Sequence, residues 1–507
     1  MAGTAAIASL ATVAGAWLDL DGSTTLLPRR LLPSSGGEAL RAAWDAARAA
    51  AVAPALAAAS WVCLALSAML LADAVFLAAA SLLPRRAPCP IAGPTAEVDG
   101  DEEEAGCSVG YPMVLVQIPM YNEREDLVEL ECKFWANNGK NVKYEVRNNR
   151  TGYKAGALKQ GMLYEYVQQC DFVAVFDADF QPEPDFLVRT VPYLVHSPRI
   201  ALVQARWEFV NPKEFLMTRI QKMTLDYHFK VEQEAGSSTF GFFGFNGTAG
   251  VWRISSIKEA GGWEDRTTVE DMDLAVRAGL KGWKFIYVGD VKVKSELPSN
   301  LKAYRRQQHR WTCGAANLFR KMGAEIILTK EVSLWRKLYL IYSFFFIRKV
   351  VAHVVPFMLY CVIIPLSVLI PEVTVPVWGV VYIPTTITLL YAIRNPSSIH
   401  FIPFWILFEN VMSFHRTKAT FIGLLELGNV NEWVVTEKLG RTKPVPQILE
   451  KPRCRFWDRC TVSEILVAIF LFFCATYNLV LGDDFYFVYI YLQAIAFLIV
   501  GTGFCGT

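Results

Sequence analysis

The chain has 507 residues, 53% of them hydrophobic, 13% aromatic and only 19% charged, with a mean hydropathy of +0.28. That apolar share exceeds what a soluble domain carries, so the composition points to a membrane protein with a sizeable soluble part, and the length allows two or three domains. A net charge of +2 with no basic stripe excludes a nucleic-acid footprint, and eleven scattered cysteines without a CxxC pair read as reduced thiols facing the cytosol or the membrane.

Residues 1–51 are Ala-rich and lack the basic start of a cleavable signal peptide. Residues 52–83 are apolar but for Asp73, long enough to cross a bilayer, and Arg85 and Arg86 follow at once. The positive-inside rule puts the next segment in the cytosol. Residues 84–110 form a linker, stiffened by Pro88, Pro90 and Pro94 and solvated by the acidic run 99–104. The sequons at Asn149 and Asn246 fall in the segment read as cytosolic and are discounted.

Residues 111–337 alternate strand-like and helix-like runs, which predicts a mainly parallel α/β sheet. Strands are expected at Met113–Pro119, Val142–Val146, Phe172–Phe176, Ile200–Ala205 and Phe285–Val288. Helices are expected at Asp126–Trp135, Gly156–Val167, 214–235 and 268–280. From Leu338 to the C-terminus the chain is apolar again. Val350–Ile370 with Val377–Ile393, and Val462–Leu481 with Phe485–Val500, read as two pairs of spans joined by short acidic turns. The Lys- and Arg-rich connector between the pairs belongs to the cytosolic side. Within it, Ile399–Phe414 is amphipathic and aromatic and suits the membrane interface.

Three motifs carry chemistry. The first ends the apolar run Phe172–Phe176 in Asp177-Ala178-Asp179. Alternate side chains of an extended chain share a face, so both carboxylates would point one way from a strand end, as two hard oxygen ligands for a divalent cation shared with phosphates. The bland alternative is a strand running into an acidic, Pro-rich turn. The second motif is Glu270-Asp271-Met272-Asp273, where Asp271 would be a general base and the alternative is an acidic helix start favoured by the dipole. The third is Gln307-Gln308-His309-Arg310-Trp311. Arg310 offers a planar fork to a diphosphate and Trp311 a face for a sugar, against the alternative of a basic segment touching lipid headgroups.

In this order, ahead of paired spans, D-x-D, E-D and Q-x-x-R-W resemble the processive glycosyltransferases of family two. The runs Tyr111–Glu125, Thr151–Leu158, Phe242–Arg253 and Phe408–Ser413 look like the plant cellulose synthase-like A proteins, and the resemblance reaches from Tyr111 to the C-terminus. It implies a membrane-integrated GT-A fold with one N-terminal and about four C-terminal spans. It implies a multi-pass Golgi membrane enzyme, with the catalytic domain in the cytosol, that polymerises mannose and glucose from GDP-mannose and GDP-glucose into a β-1,4-mannan or glucomannan chain. The cofactor would be Mg²⁺ or Mn²⁺, held on the donor diphosphate by Asp177 and Asp179. Lys154 would sit near that diphosphate, and Arg310, with Gln307 beside it, would meet the departing GDP. Asp271 would deprotonate the acceptor. Phe245, Asn246 and Gly247 would floor the acceptor site, Trp311 would pack on the terminal sugar, and Trp433, Thr436 and Lys438 would belong to a gating loop. Homo- or hetero-oligomers with related synthases stay open, as does GDP against UDP. A β-1,4-glucan synthase of the xyloglucan-backbone type is the alternative enzyme. A substrate-only transporter is weaker, since no intramembrane polar ladder accompanies the spans.

One departure stands out. The family pattern has a further helix and strand after Glu125, ending in a carboxylate that helps hold the nucleotide. Here Glu125 runs directly into Asp126-Leu127-Val128-Glu129, so about one helix–strand unit is absent. Without that inner strand, Val142–Val146 would have to move beside Met113–Pro119 or leave unpaired edge groups. The expectation is a damaged donor site, and the alternative function is a catalytically impaired scaffold that pairs with an active synthase.

Overall fold

The computed structural model describes residues 34–82, 112–121, 125–393, 396–428, 430, 460–482 and 484–503. Its centre is one six-stranded sheet, built from β1 (Val114–Gln117), β2 (Phe172–Val175), β3 (Gln181–Pro182), β4 (Ile200–Phe209), β5 (Gly250–Arg253) and β6 (Lys284–Ser295). The order is β1-β2-β5-β4-β6-β3. Only β1/β2 and β4/β6 pair in parallel; β5 runs antiparallel between β2 and β4, and β3 antiparallel on β6. The sheet is therefore mixed rather than mainly parallel, because β5 was not expected at all: four residues leave no pattern to count.

Both faces of the sheet are covered, which explains the continuous apolar runs of its inner strands. Along β2, Phe172 and Ala174 enter one core with Phe186, Val191 and Leu194 of the helix Phe186–His196. Val173 and Val175 enter the other, with Trp252, Phe285, Leu274 and Val276. The second core continues past the expected domain end, taking in Tyr339, Leu340, Phe344 and Phe345.

The β1 side of the sheet is bare. The expected strand Val142–Val146 is irregular chain, with Val142 39% and Val146 67% exposed, and among the described residues nothing extends the sheet beyond β1. A β-rich run makes a strand only when a ladder receives it. The helix that follows the junction, α1 (Glu125–Asn137), buries no residue; Leu127, Leu130, Phe134 and Trp135 are all exposed. Downstream, the expected helix Gly156–Val167 is a helix Tyr153–Gly161 and a separate 3-10 turn Glu165–Gln169.

Among the described residues, three helical segments are long and apolar enough to cross a membrane: Ala39–Ala80, Leu334–Leu369 and Val462–Leu481. Two shorter apolar helices, Trp378–Ala392 and Tyr486–Gly501, occupy the other expected span positions. Asp73, the lone carboxylate of the first segment, is buried and accepts a hydrogen bond of 2.6 Å from Ser343 Oγ. The stretch expected at the interface becomes the helix Ile402–Leu425, which buries Trp405, Phe408, Val411 and Met412 in a core that also takes in Tyr304, Leu471 and Phe497.

Candidate active site

A single large cavity, about 1450 Å³, gathers the motif residues. Asp177, Asp179, Lys154, Asn246, Gly247, Asp271, Gln307, Arg310 and Trp311 all line it. Phe245 reaches it too, but as a core residue, 2% exposed and edge-on to Trp252 at 5.6 Å. Trp433, Thr436 and Lys438 lie outside the described residues.

Asp177 and Asp179 reach the cavity differently from the strand-face expectation. β2 stops at Val175, and both aspartates follow it, with Phe180 N–H donating to Asp177 O at 3.0 Å across a tight turn. The backbone N–H of Asp177 donates to Thr248 Oγ1 at 2.9 Å, which ties the turn to the segment Phe245–Ala249. Lys154 Nζ donates to Asp177 Oδ1 and, at 2.9 Å, to the Gly247 carbonyl. Desolvation works against the Lys154 charge, but the carboxylates of Asp177, Glu270 and Asp271 outweigh it and hold the ammonium's pKa above its usual value.

Asp271 opens the helix α2 (Glu270–Leu280), the position where the dipole favours a carboxylate. The Met272 N–H donates to its Oδ1 at 2.7 Å. Burial nevertheless raises its pKa above the ordinary Asp range, with Lys154 and Arg310 pulling it back down and Asp177 adding to the rise. Its neighbour Glu270, 3% exposed, is pushed up to about 7 by burial and then by the Asp271 charge. Two adjacent carboxyls with raised pKa values in one cleft are the setting of a general base. Asp273 is a different matter: fully buried, it accepts from Arg266 Nε and Arg277 Nε at 2.8 Å each and anchors the helix.

Gly247 lies directly beside Asp271. Its φ of +80° is left-handed, and an added Cβ would come within 2.8 Å of Asp271 Oδ2 and 3.5 Å of Lys154 Nζ. The motif glycine thus lets the backbone approach the Asp271 carboxylate more closely than a residue with a Cβ could without moving it, while Lys154 Nζ would stay in ordinary contact. Arg310 Nη1 donates to the Thr268 carbonyl at 3.2 Å, bringing the third motif against the second.

The chain belongs to the glucomannan 4-beta-mannosyltransferase family. It is 71% identical over 528 aligned residues to the "Probable glucomannan 4-beta-mannosyltransferase 3" of Oryza sativa subsp. japonica, covering 96% of this chain and 95% of that protein. It is 57% identical over 500 residues to "Glucomannan 4-beta-mannosyltransferase 9" of Arabidopsis thaliana, with 91% and 94% covered. Residues 172–393 match glycosyl transferase family group 2. A remote likeness, 16% identical with a TM-score of 0.42, is to "Mannosyltransferase PcManGT from Pyrobaculum calidifontis in complex with GDP-Man and Mn2+", over 72% of this chain and all of that one; likeness of that degree carries no function across.

Of this chain's 507 residues, 96% is about 487, yet the rice alignment runs to 528 positions, so about forty of them have no counterpart here. Tyr121, Arg147, Arg150 and Tyr153 also line the cavity. The Arg150 guanidinium stacks 3.9 Å from the Tyr121 ring and 4.9 Å from that of Tyr153.

Sequence reasoning passed over a second polar group in the cavity wall. His228, Glu232 and Gln233 line it from the π-helical turn His228–Gln233, and all three were hidden inside what the sequence offers as one long helix. A His and a Glu four residues apart, followed by a Gln, is the signal that could have found them.

Proposed function

We propose that the chain is a processive inverting glycosyltransferase that extends a β-1,4-mannan or glucomannan chain from GDP-mannose and GDP-glucose. The observation that carries this reading is the convergence of Asp271, Lys154 and Asp177 around Gly247 in one cavity that Arg310 and Trp311 also line. Asp271 takes the proton of the acceptor 4-hydroxyl; that oxygen bonds to C1 of the donor sugar as the C1–O bond to the diphosphate breaks. Inversion needs only this base and an in-line leaving group, so no covalent nucleophile is required. Arg310 and Lys154 meet the charge that develops on the departing GDP.

Asp177 and Asp179 fit a divalent cation, Mg²⁺ or Mn²⁺. They are two hard carboxylates on one turn, and among the described residues no cluster of three ligating side chains exists, which suits an ion whose other ligands are diphosphate oxygens. Bound there, the ion would supply Lewis-acid stabilisation of the leaving group. Residence in the Golgi membrane with the catalytic domain in the cytosol, and assembly with copies or relatives, belong to the same reading.

One observation favours a second reading. The bare edge at β1 and the uncovered apolar face of α1 suit an impaired synthase retained as a scaffold for an active one. Incorporation of GDP-[¹⁴C]mannose by membranes bearing this chain tests both. Mannanase-sensitive product supports the synthase. An inert chain that gains activity when the missing unit is restored from a family sequence supports impairment. Product from GDP-glucose alone, sensitive to glucanase, would overturn the mannan assignment.

A further inference from the structure

The loop 147–152 runs into the helix Tyr153–Gly161 through two consecutive left-handed residues, Gly152 at φ +69° and Tyr153 at φ +46°. Glycine takes that region freely; a tyrosine there is strained and persists only where its surroundings over-determine it. Arg147 supplies the constraint. Its Nη1 donates to the Thr151 carbonyl at 3.0 Å and its Nη2 to the Tyr153 carbonyl at 2.9 Å. The Tyr153 N–H donates to the Arg150 carbonyl at 3.0 Å and closes the turn. Gly156 leaves room for this clasp: a Cβ there would collide with the Thr151 carbonyl oxygen and come within 2.6 Å of Arg147 Nη1.

What the clasp presents is a cation among aromatic rings. The Arg150 guanidinium lies over Tyr121 at 3.9 Å and over Tyr153 at 4.9 Å. All three residues line the cavity, and Lys154, which holds Asp177, follows Tyr153 directly. A guanidinium over a ring keeps its planar fork of N–H donors for partners in its own plane. Tyr121, for all that contact, is still 51% exposed. Aromatic faces beside an in-plane fork suit a flat heterocycle that can both stack and accept hydrogen bonds; a phosphate gains nothing from the rings.

We propose that Arg150 reads the base of the donor nucleotide, its fork donating to O6 and N7 of guanine, and that Arg147 is the positioning residue that holds Arg150 and Tyr153 in place. The inference rests on the reading of this cavity as a sugar-nucleotide site, and it decides between guanine and uracil, which the three motifs leave open. Guanine sets two acceptors side by side, the pattern that an Arg fork matches. Adenine sets an amino donor beside its N7, and uracil a C–H beside its O4, so each would leave half of the fork without an acceptor.

The test is calorimetric binding of GDP, 7-deaza-GDP and UDP to the full chain in nanodiscs, in Mn²⁺. In 7-deaza-GDP a C–H replaces N7 and nothing else changes, so the wild type should bind it about tenfold more weakly than GDP, the worth of one hydrogen bond from a charged donor. Arg150→Ala should weaken GDP by roughly tenfold to a hundredfold, bring GDP and 7-deaza-GDP to the same affinity, and leave UDP unchanged. Arg150→Lys, which keeps the charge and loses the fork, should also narrow the gap between GDP and 7-deaza-GDP. Arg147→Ala should narrow that gap as well and add nothing to Arg150→Ala; a gap left intact in Arg147→Ala would overturn its positioning role. Equal losses of GDP, 7-deaza-GDP and UDP in Arg150→Ala would assign the guanidinium to the diphosphate and overturn the proposal. The wild-type comparison needs no variant to fold: a chain that binds GDP no more tightly than 7-deaza-GDP would overturn this inference alone, whereas one that binds no nucleoside diphosphate would overturn the sugar-nucleotide reading with it.

Discussion

Replacing Gly247 with alanine tests how closely the backbone fits beside Asp271, the proposed base. The left-handed φ of +80° costs a residue with a Cβ about 1–2 kcal/mol. The new methyl would stand 2.8 Å from Asp271 Oδ2, where about 3.4 Å is the least that ordinary contact allows, so the carboxylate must retreat by about 0.6 Å. A misplacement of about 1 Å in a reacting group can lower the rate by about 10², so half that distance implies about tenfold in kcat. Lys154 Nζ, at 3.5 Å from the same point, stays within ordinary contact, and GDP affinity should hold. Mannose transfer from GDP-mannose to mannotetraose, alongside GDP titration and thermal unfolding, reads all three. Full turnover together with an unchanged melting temperature would refute the claim that Gly247 is wedged against Asp271.

Other outcomes follow from the same geometry. Asp271→Asn keeps the size and loses the base, so transfer should fall below detection while GDP still binds; ordinary turnover would sink the assignment. Asp179→Ala should weaken GDP at least tenfold in Mn²⁺ and leave affinity in EDTA unchanged, and equal affinities with metal present would remove the cation from this site. The pH dependence has a definite sign. A base must be anionic, and burial raises Asp271 and lifts Glu270 to about 7, so the two carboxyls keep a proton at higher pH than an ordinary Asp of ~3.9. The kcat/KM for transfer should therefore fall as pH drops through the weakly acid range, and a profile flat down to pH 5 would contradict that.

The three motifs were legible because chemistry dictates their residue types, and the structure draws them into one cavity although over a hundred positions separate Asp177 from Arg310. The reason offered for the first motif did not carry over: a turn, not strand alternation, presents Asp177 and Asp179. β5 escaped notice because it is short and buried on both sides, where periodicity carries no signal. Val142–Val146 misled in the opposite way, having the composition of a strand and no partner to make it one. His228, Glu232 and Gln233 were invisible for a third reason. On a helix, polar residues read as a solvated face, and only the packing of Asn246 against them shows that they face inward.

The catalytic half of this protein has no seam at which it could be cut free. Phe345 stacks on Phe319 at 5.2 Å, Tyr339 on Phe240 at 3.7 Å, and Phe344 sits edge-on to Phe242 at 5.3 Å; the residues Tyr339–Phe345 belong to the segment Leu334–Leu369 and fill the core behind α2. The Arg336 side chain adds a hydrogen bond to the Trp283 carbonyl. A polypeptide ending before Tyr339 would leave that core open on one side, and so would a full chain whose apolar segment had not yet found its bilayer. Insertion would then be a condition for an assembled active site, and a copy stranded in the cytosol would lack the packed core on which Asp271 is mounted, so it would draw on no sugar nucleotide there.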